Sequence, residues 1–153
     1  MNAIILAAGM SSRLRPVTND KPKCMLKLFN ETLLERQIKI FRNHNINDIT
    51  IVTGYRSEVI DISNVNYVKN ENYATTNINE SLFCALEPSN GPVLVTYSDI
   101  VFEQKIIQQM LEITDGIRLA VDLDWKKHYQ NRTMHTLSEA ENVLVENGRI
   151  LQI

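Results

Sequence analysis

Five basic side chains crowd one polar stretch of this 153-residue chain: Arg13, Arg15, Lys21, Lys23 and Lys27, with a single acid, Asp20, among them. The whole chain carries a net charge of −2, so the positive field is local. It suits a small phosphate-rich ligand and gives nucleic acid no favoured footing. Just upstream runs Leu6-Ala7-Ala8-Gly9-Met10-Ser11-Ser12-Arg13-Leu14, followed by Pro16, Thr18 and Lys21-Pro22-Lys23. The small residues Ala7, Ala8 and Gly9 let a ligand approach the backbone, and the peptide N–H groups that follow can donate to phosphate oxygens. Arg13 offers a planar fork for a triphosphate, whereas Lys23 is a compact charge able to sit at a reacting phosphorus. The bland alternative is a surface loop with solvated basic residues; its place directly after a buried apolar run argues against that. No Gly-x-x-x-x-Gly-Lys-Ser/Thr run exists, and Gly9 lacks the partner glycines of a dinucleotide fold, which disfavours ATPase and dehydrogenase chemistry.

Three further constellations stand out. Thr96-Tyr97-Ser98-Asp99 puts a carboxylate just beyond an apolar run, where open α/β sheets bind ligands and where Mg²⁺ could be held with phosphate oxygens. A lone Asp there is also a common cap or turn residue. Asp122-Leu123-Asp124-Trp125, with Tyr129 and Arg132 behind it, could hold a metal–diphosphate. Trp125 and Tyr129 could face a cationic or amide-bearing acceptor through their π faces, or equally cap a core. Asn72-Tyr73-Ala74-Thr75-Thr76-Asn77-Ile78-Asn79-Glu80-Ser81-Leu82 reads on its own as a loop and helix start, with Thr76 or Asn77 as cap. His128 and His135 lack ligand spacing.

The elements that must position these residues alternate as in an α/β domain with a largely parallel sheet. Asn2–Ala8 predicts a strand buried on both faces. Residues 9–27 form a long loop. Leu33, Leu34, Ile38 and Phe41 share a helical face, predicting a helix over Thr32–His44. Strands follow at Ile49–Thr53 and Val65–Val68, then a loop to Thr76 and a helix over Asn79–Leu86, stopped before Pro88. Pro92–Tyr97 predicts another buried strand. Glu103–Ile113 reads as a helix with Ile106, Ile107, Met110 and Leu111 inward, and Ile117–Asp122 as a further strand. Ala140–Glu146 and Arg149–Ile153 flank Asn147-Gly148, which suits a type I′ hairpin.

The run from Leu6 to Lys23 resembles the fingerprint of the sugar-phosphate and alcohol-phosphate nucleotidyltransferases, with Ser11 where many members have glycine. The resemblance implies a Rossmann-like, GT-A-like mostly parallel twisted sheet flanked by helices, here with a C-terminal β-hairpin. It implies nucleotide contacts from Leu6, Ala7, Ala8, Gly9, Met10, Ser11 and Ser12. It also implies that Arg13 binds the β- and γ-phosphates, that Lys23 stabilises the α-phosphate, and that Asp99 holds Mg²⁺, with Ser98 replacing the usual glycine. The segment from Asn72 to Leu82 is similar to that of the cytidylyltransferases for phosphocholine, 2-aminoethylphosphonate and, in capsule modification, phosphoglutamine. That branch favours CTP and a small amino- or amide-bearing phosphorylated acceptor, with Asn77 and Ser81 on the base side. It makes Asp122-x-Asp124-Trp125 acceptor-side scaffolding, with Trp125 and Tyr129 as acceptor contacts.

The length fits one domain, 1–153, and 44% apolar with 22% charged residues is the balance of a folded globular protein, not a disordered one. Cys24 and Cys84 have no metal or redox spacing and read as two reduced thiols. The opening apolar run lacks a basic flank and is too short to span a bilayer, so a cytoplasmic protein without membrane partners is expected. Members of the resembled family run longer and take a second metal-binding aspartate from their C-terminal part; the stop at Ile153, inside a predicted strand, suggests a catalytic domain lacking that part. A homodimer is an admitted alternative to a monomer. Rival functions are a UTP- or dTTP-dependent sugar-1-phosphate nucleotidyltransferase, a GT-A-type glycosyltransferase using Asp122 and Asp124, and a non-catalytic nucleotide-binding fragment.

Overall fold

The side chains of β1 (Asn2–Ala7) alternate between two apolar clusters: Ala3, Ile5 and Ala7 enter one, Ile4 and Leu6 the other. A strand with two dry faces must lie inside a sheet covered on both sides. In the computed structural model, which describes residues 1–86, 91–112, 116–132 and 137–153, it does. β4 (Ile49–Thr53) and β6 (Val93–Tyr97) flank β1 in parallel, and β5 (Asn66–Lys69) adds outside β4, giving the order β5-β4-β1-β6. Ile5 stands level with Ile51 on one side and Thr96 on the other.

Helices cover the two faces. Leu34, Ile38 and Phe41 of α1 (Leu33–Asn43) and Ile107 of α3 (Gln104–Glu112) join the cluster of Ala3 and Ile5. Ala85 of α2 (Ile78–Leu86) joins that of Ile4 and Leu6, with Leu82 and Leu86 beside it. A short antiparallel pair, β2 (Lys27–Leu28) and β3 (Glu31–Thr32), leads into α1. α1 opens on a capping box: the Thr32 hydroxyl accepts from the Glu35 N–H at 3.1 Å, while the Glu35 carboxylate accepts from the Thr32 N–H at 2.8 Å. These bonds hold the Glu35 carboxyl below its ordinary value near 4.5.

The chain forms two compact units, Met1–Glu112 and Ile113–Ile153. The second contains a single helical turn, α4 (Trp125–His128), and a hairpin of β7 (Leu144–Glu146) and β8 (Arg149–Gln152). Asn147 and Gly148 have φ of 49° and 74°, the paired positive values a type I′ turn requires.

Three expectations need correction. Ile117–Asp122 is irregular rather than a strand; Ile117, Leu119 and Val121 are exposed, and an alternating pattern without a neighbour to pair with makes no ladder. β6 is not buried throughout, because it ends the sheet order and leaves Val95 and Tyr97 exposed. On α3 only Ile107 is fully buried, with Ile106, Met110 and Leu111 half-buried. Smaller shifts put β5 at Asn66–Lys69, begin α2 at Ile78 and begin the hairpin at Leu144. Pro88, Ile113 and His135 lie outside the described residues. Among the described residues no helix is long and apolar enough to cross a membrane. Cys24, buried, and Cys84, half-buried, are free thiols.

Candidate active site

β1 delivers its chain to the carboxyl end of the sheet, and both neighbours grip it there. The Ala8 carbonyl accepts from the Tyr55 N–H at 3.1 Å, and the Leu6 carbonyl accepts from the Ser98 N–H at 3.1 Å. Leu6, Ala7 and Ala8 are therefore buried frame, and the surface of the loop begins at Gly9 and Met10. A Cβ added to Gly9 would meet no atom within 4 Å. Nothing in the protein demands glycine there, which leaves open space beside the backbone where a ligand can approach.

Ser11 is the knot of the loop. Its φ of 55° is left-handed, a conformation easiest for glycine, the residue that many members of the resembled family have there. Two contacts offset the strain. The buried Thr18 hydroxyl donates to the Ser11 carbonyl at 2.8 Å, and the Ser11 hydroxyl accepts from the Lys23 backbone N–H at 3.1 Å. Tyr55, just past β4, donates its phenol to the Thr18 and Asn19 carbonyls at 3.1 and 2.9 Å. The rigid sheet is thus linked through Tyr55, Thr18 and Ser11 to the backbone of Lys23. Ser12 and Arg13 begin a single 3-10 turn, Ser12–Leu14, and are exposed.

Lys23 and Asp99, 76 residues apart, meet: Lys23 Nζ lies 2.5 Å from Asp99 Oδ2, both part-exposed. Directly beside them in the chain, the side chains of Cys24 and Ser98 are both buried. Burial pushes the Cys24 thiol up to about 12, so it stays protonated and serves as packing. Ser98, standing for the family's glycine, donates its backbone N–H to the Leu6 carbonyl and so ties the Asp99 turn to β1. Beneath that turn Gln37 of α1, 1% exposed, donates its amide to the Tyr97 and Ile100 carbonyls at 2.9 and 2.7 Å. Among the described residues no three His, Cys, Asp or Glu side chains gather into a metal cage. Asp99 fits a cation differently, as one exposed carboxylate beside a phosphate-suited loop, the donor set Mg²⁺ takes when phosphates complete it.

The other candidates have local structural duties. Asn77 caps α2, its Oδ1 accepting from the Asn79 and Glu80 N–H groups at 3.0 and 3.3 Å. Ser81 is buried and accepts from Asn70 Nδ2 at 3.0 Å; the same amide donates to Thr76 at 3.1 Å and so shapes the loop 70–76. Tyr73 of that loop packs on Gly54, where an added Cβ would lie 2.7 Å from both Tyr73 and the Ala8 carbonyl. In the second unit Trp125 and Tyr129 meet edge to face with centroids 5.7 Å apart, and Arg132 lies over the Tyr129 ring at 4.3 Å. Asp122 and Asp124 are engaged by their own helical turn: Asp122 with His128 at 2.6 Å, which holds its carboxyl below the usual range, and Asp124 with Lys127 at 2.6 Å.

Thr18, Tyr55 and Gln37 had no assigned role in the sequence. Gln37 left a readable trace, a polar residue on the apolar stripe of Leu34, Ile38 and Phe41. Thr18 and Tyr55 left none, since their bonds depend on how the loop returns to the sheet.

The chain has relatives among known proteins. The chain is 32% identical over 166 aligned positions to the CTP:phosphoglutamine cytidylyltransferase of Campylobacter jejuni subsp. jejuni, covering all of this chain and 65% of that protein. It is 36% identical over 107 residues to the choline-phosphate cytidylyltransferase of Streptococcus pneumoniae, covering 67% of this chain and 47% of the relative. The chain thus spans between about half and two thirds of the length of these curated relatives. The solved CTP:phosphocholine cytidylyltransferase of Streptococcus pneumoniae superposes with a TM-score of 0.61 at 37% identity, over 64% of this chain and 44% of that one. The inositol-1-phosphate CTP transferase of T. maritima, at 21% identity and a TM-score of 0.59, shares the fold. The MobA-like NTP transferase domain model matches residues 3–139, and the chain belongs to that family.

Proposed function

We propose that this chain carries the nucleotide site of a CTP-dependent nucleotidyltransferase, which joins a cytidylyl group to a small phosphorylated or phosphonate acceptor. The observation that carries the proposal is the meeting of Lys23 and Asp99 beside the Gly9–Arg13 loop, at the carboxyl ends of β1 and β6. A phosphate oxygen of the acceptor attacks the α-phosphorus of CTP; the new P–O bond forms as the bond to the β-phosphate oxygen breaks, and pyrophosphate leaves. The acceptor phosphate is already an anion at neutral pH, so no general base is needed, and catalysis rests on placement and charge.

Lys23 turns from Asp99 to the α-phosphoryl oxygens, where negative charge grows. Arg13 holds the departing pyrophosphate, and the peptide groups from Gly9 to Ser12 donate to the phosphates. Asp99 would hold Mg²⁺, whose charge neutralises the triphosphate. Asn77 and Ser81 set the base side by fixing the loop that starts at Asn70. Trp125 and Tyr129 are the acceptor-side residues. An amino- or amide-bearing acceptor, such as phosphoglutamine, phosphocholine or 2-aminoethylphosphonate, is favoured, since two of the relatives are named for phosphoglutamine and choline phosphate. The CDP-linked product is an activated form of the small group, ready for transfer to a cell-surface polysaccharide, and a cytoplasmic location matches its CTP supply. Pyrophosphate release from CTP, UTP, dTTP and ATP with this acceptor panel tests the proposal. Release from CTP with one small acceptor supports it; release of a nucleoside diphosphate from a nucleotide sugar would replace it with glycosyl transfer.

A further inference from the structure

Gln37 is a buried polar residue on an otherwise apolar helix stripe, and two backbone acceptors explain its presence. It lies on the inward stripe of α1 with Leu34, Ile38 and Phe41, all at most 2% exposed, and is itself 1% exposed. A side chain with four hydrogen-bonding sites is costly to bury unless it is used. Both bonds from its Nε2 amide go to the backbone bracketing Asp99: the Tyr97 carbonyl accepts at 2.9 Å and the Ile100 carbonyl at 2.7 Å. Two carbonyl oxygens can be met only by the NH₂ group, so the amide's orientation is fixed by its partners. The other end, Gln37 Oε1, is buried and has no hydrogen-bond partner among the described residues, so the bonds of this side chain all run to the Asp99 turn.

We infer that Gln37 is the positioning residue for Asp99. The helix is anchored in the core, the amide clamps both ends of the turn Tyr97-Ser98-Asp99-Ile100, and the carboxylate is thereby held against Lys23. The Ser98 N–H ties the middle of the turn to the Leu6 carbonyl of β1, and Gln37 holds its two ends. The catalytic consequence rests on the function proposed above; the placement of Asp99 does not.

The test therefore begins without a substrate. The Asp99 carboxylate held against Lys23 Nζ covers one side of the amine, so Lys23 should react slowly with acetic anhydride, read by mass spectrometry. Gln37→Leu and Gln37→Met remove both donors at similar volume. Each should raise the rate at Lys23 about fivefold, the factor matching one lost hydrogen bond of ~1 kcal/mol, and leave Lys39, exposed on α1, unchanged. Ile38→Val, a neighbouring core change on the same helix, should leave Lys23 at the wild-type rate despite its own loss of stability. The second readout is Mn²⁺ affinity in the presence of CTP, expected to fall about tenfold in the Gln37 variants only. Wild-type labelling of Lys23 in folded Gln37→Leu or Gln37→Met, or an equal rise in Ile38→Val, would overturn the inference. A raised Lys23 rate together with no Mn²⁺–CTP binding by the wild type would uphold it and remove the proposed function instead.

Discussion

At the scale of single residues, the account gives Lys23 the charge that matters most. Replacing it with alanine should lower kcat about 10²–10³-fold, as removing one transition-state donor does, while the protein stays folded. Pyrophosphate release beside a thermal melt checks both halves. Thr18 acts one step away, through Ser11. Thr18→Val keeps the shape but deletes the 2.8 Å bond to the Ser11 carbonyl, and should cut kcat about fivefold with little change in the KM for CTP. In a Lys23→Ala background the same change should cost almost nothing, because its effect passes through the lysine. A double-mutant cycle measures this, and full additivity would detach Thr18 from the chemistry. Lys23 and Asp99 were legible because each follows an apolar strand in a stretch of chemically telling residues. Gln37 showed only as a polar residue on an apolar stripe, and Thr18 and Tyr55 not at all: the bonds of the three, to Tyr97, Ser11 and Thr18, span 60, 7 and 37 residues and depend on tertiary closure.

At the scale of elements, the strands meet the loop through one glycine. Gly54 ends β4 under Tyr73 and beside the Ala8 carbonyl, with no room for a methyl group. Gly54→Ala should destabilise the fold by about 1–3 kcal/mol, as overpacking does, and weaken CTP binding by displacing the start of the loop. Chemical denaturation and a binding titration would show the two effects together. The capping box of α1 yields a pH signature. The folded Glu35 carboxyl titrates below its unfolded value near 4.5, so its contribution is complete above that pH and drains away as pH falls through the lower folded value. Thr32→Ala should cost about 1 kcal/mol at neutral pH and flatten stability in that acid window, measurable by urea melts from pH 3 to 6.

The same scale shows why the elements were unequally legible. β1 and β4 read correctly because short runs rich in Ile, Leu and Val, such as Ile4-Ile5-Leu6 in β1, favour a strand covered on both faces. β6 has the same kind of sequence, yet it sits at the end of the sheet order, and edge position is a property of neighbours. Residues 117–122 alternate like a strand, yet have no ladder partner among the described residues. Asn147-Gly148 carried its own instruction, since the turn geometry is local.

At the scale of the molecule, the first unit holds the whole four-stranded sheet together with Lys23 and Asp99, and the second holds Trp125, Tyr129 and the hairpin. The central claim is nucleotide recognition by the first of these, and titration calorimetry tests it most directly. The chain would be titrated with CTP, UTP, dTTP and ATP in Mg²⁺, with Lys23→Ala in parallel. The account predicts tightest binding for CTP, weakened at least about tenfold in Lys23→Ala by loss of a charge-assisted contact worth 1.5–3 kcal/mol. Equal affinity for all four nucleotides, or CTP binding indifferent to Lys23 in a folded sample, would contradict it.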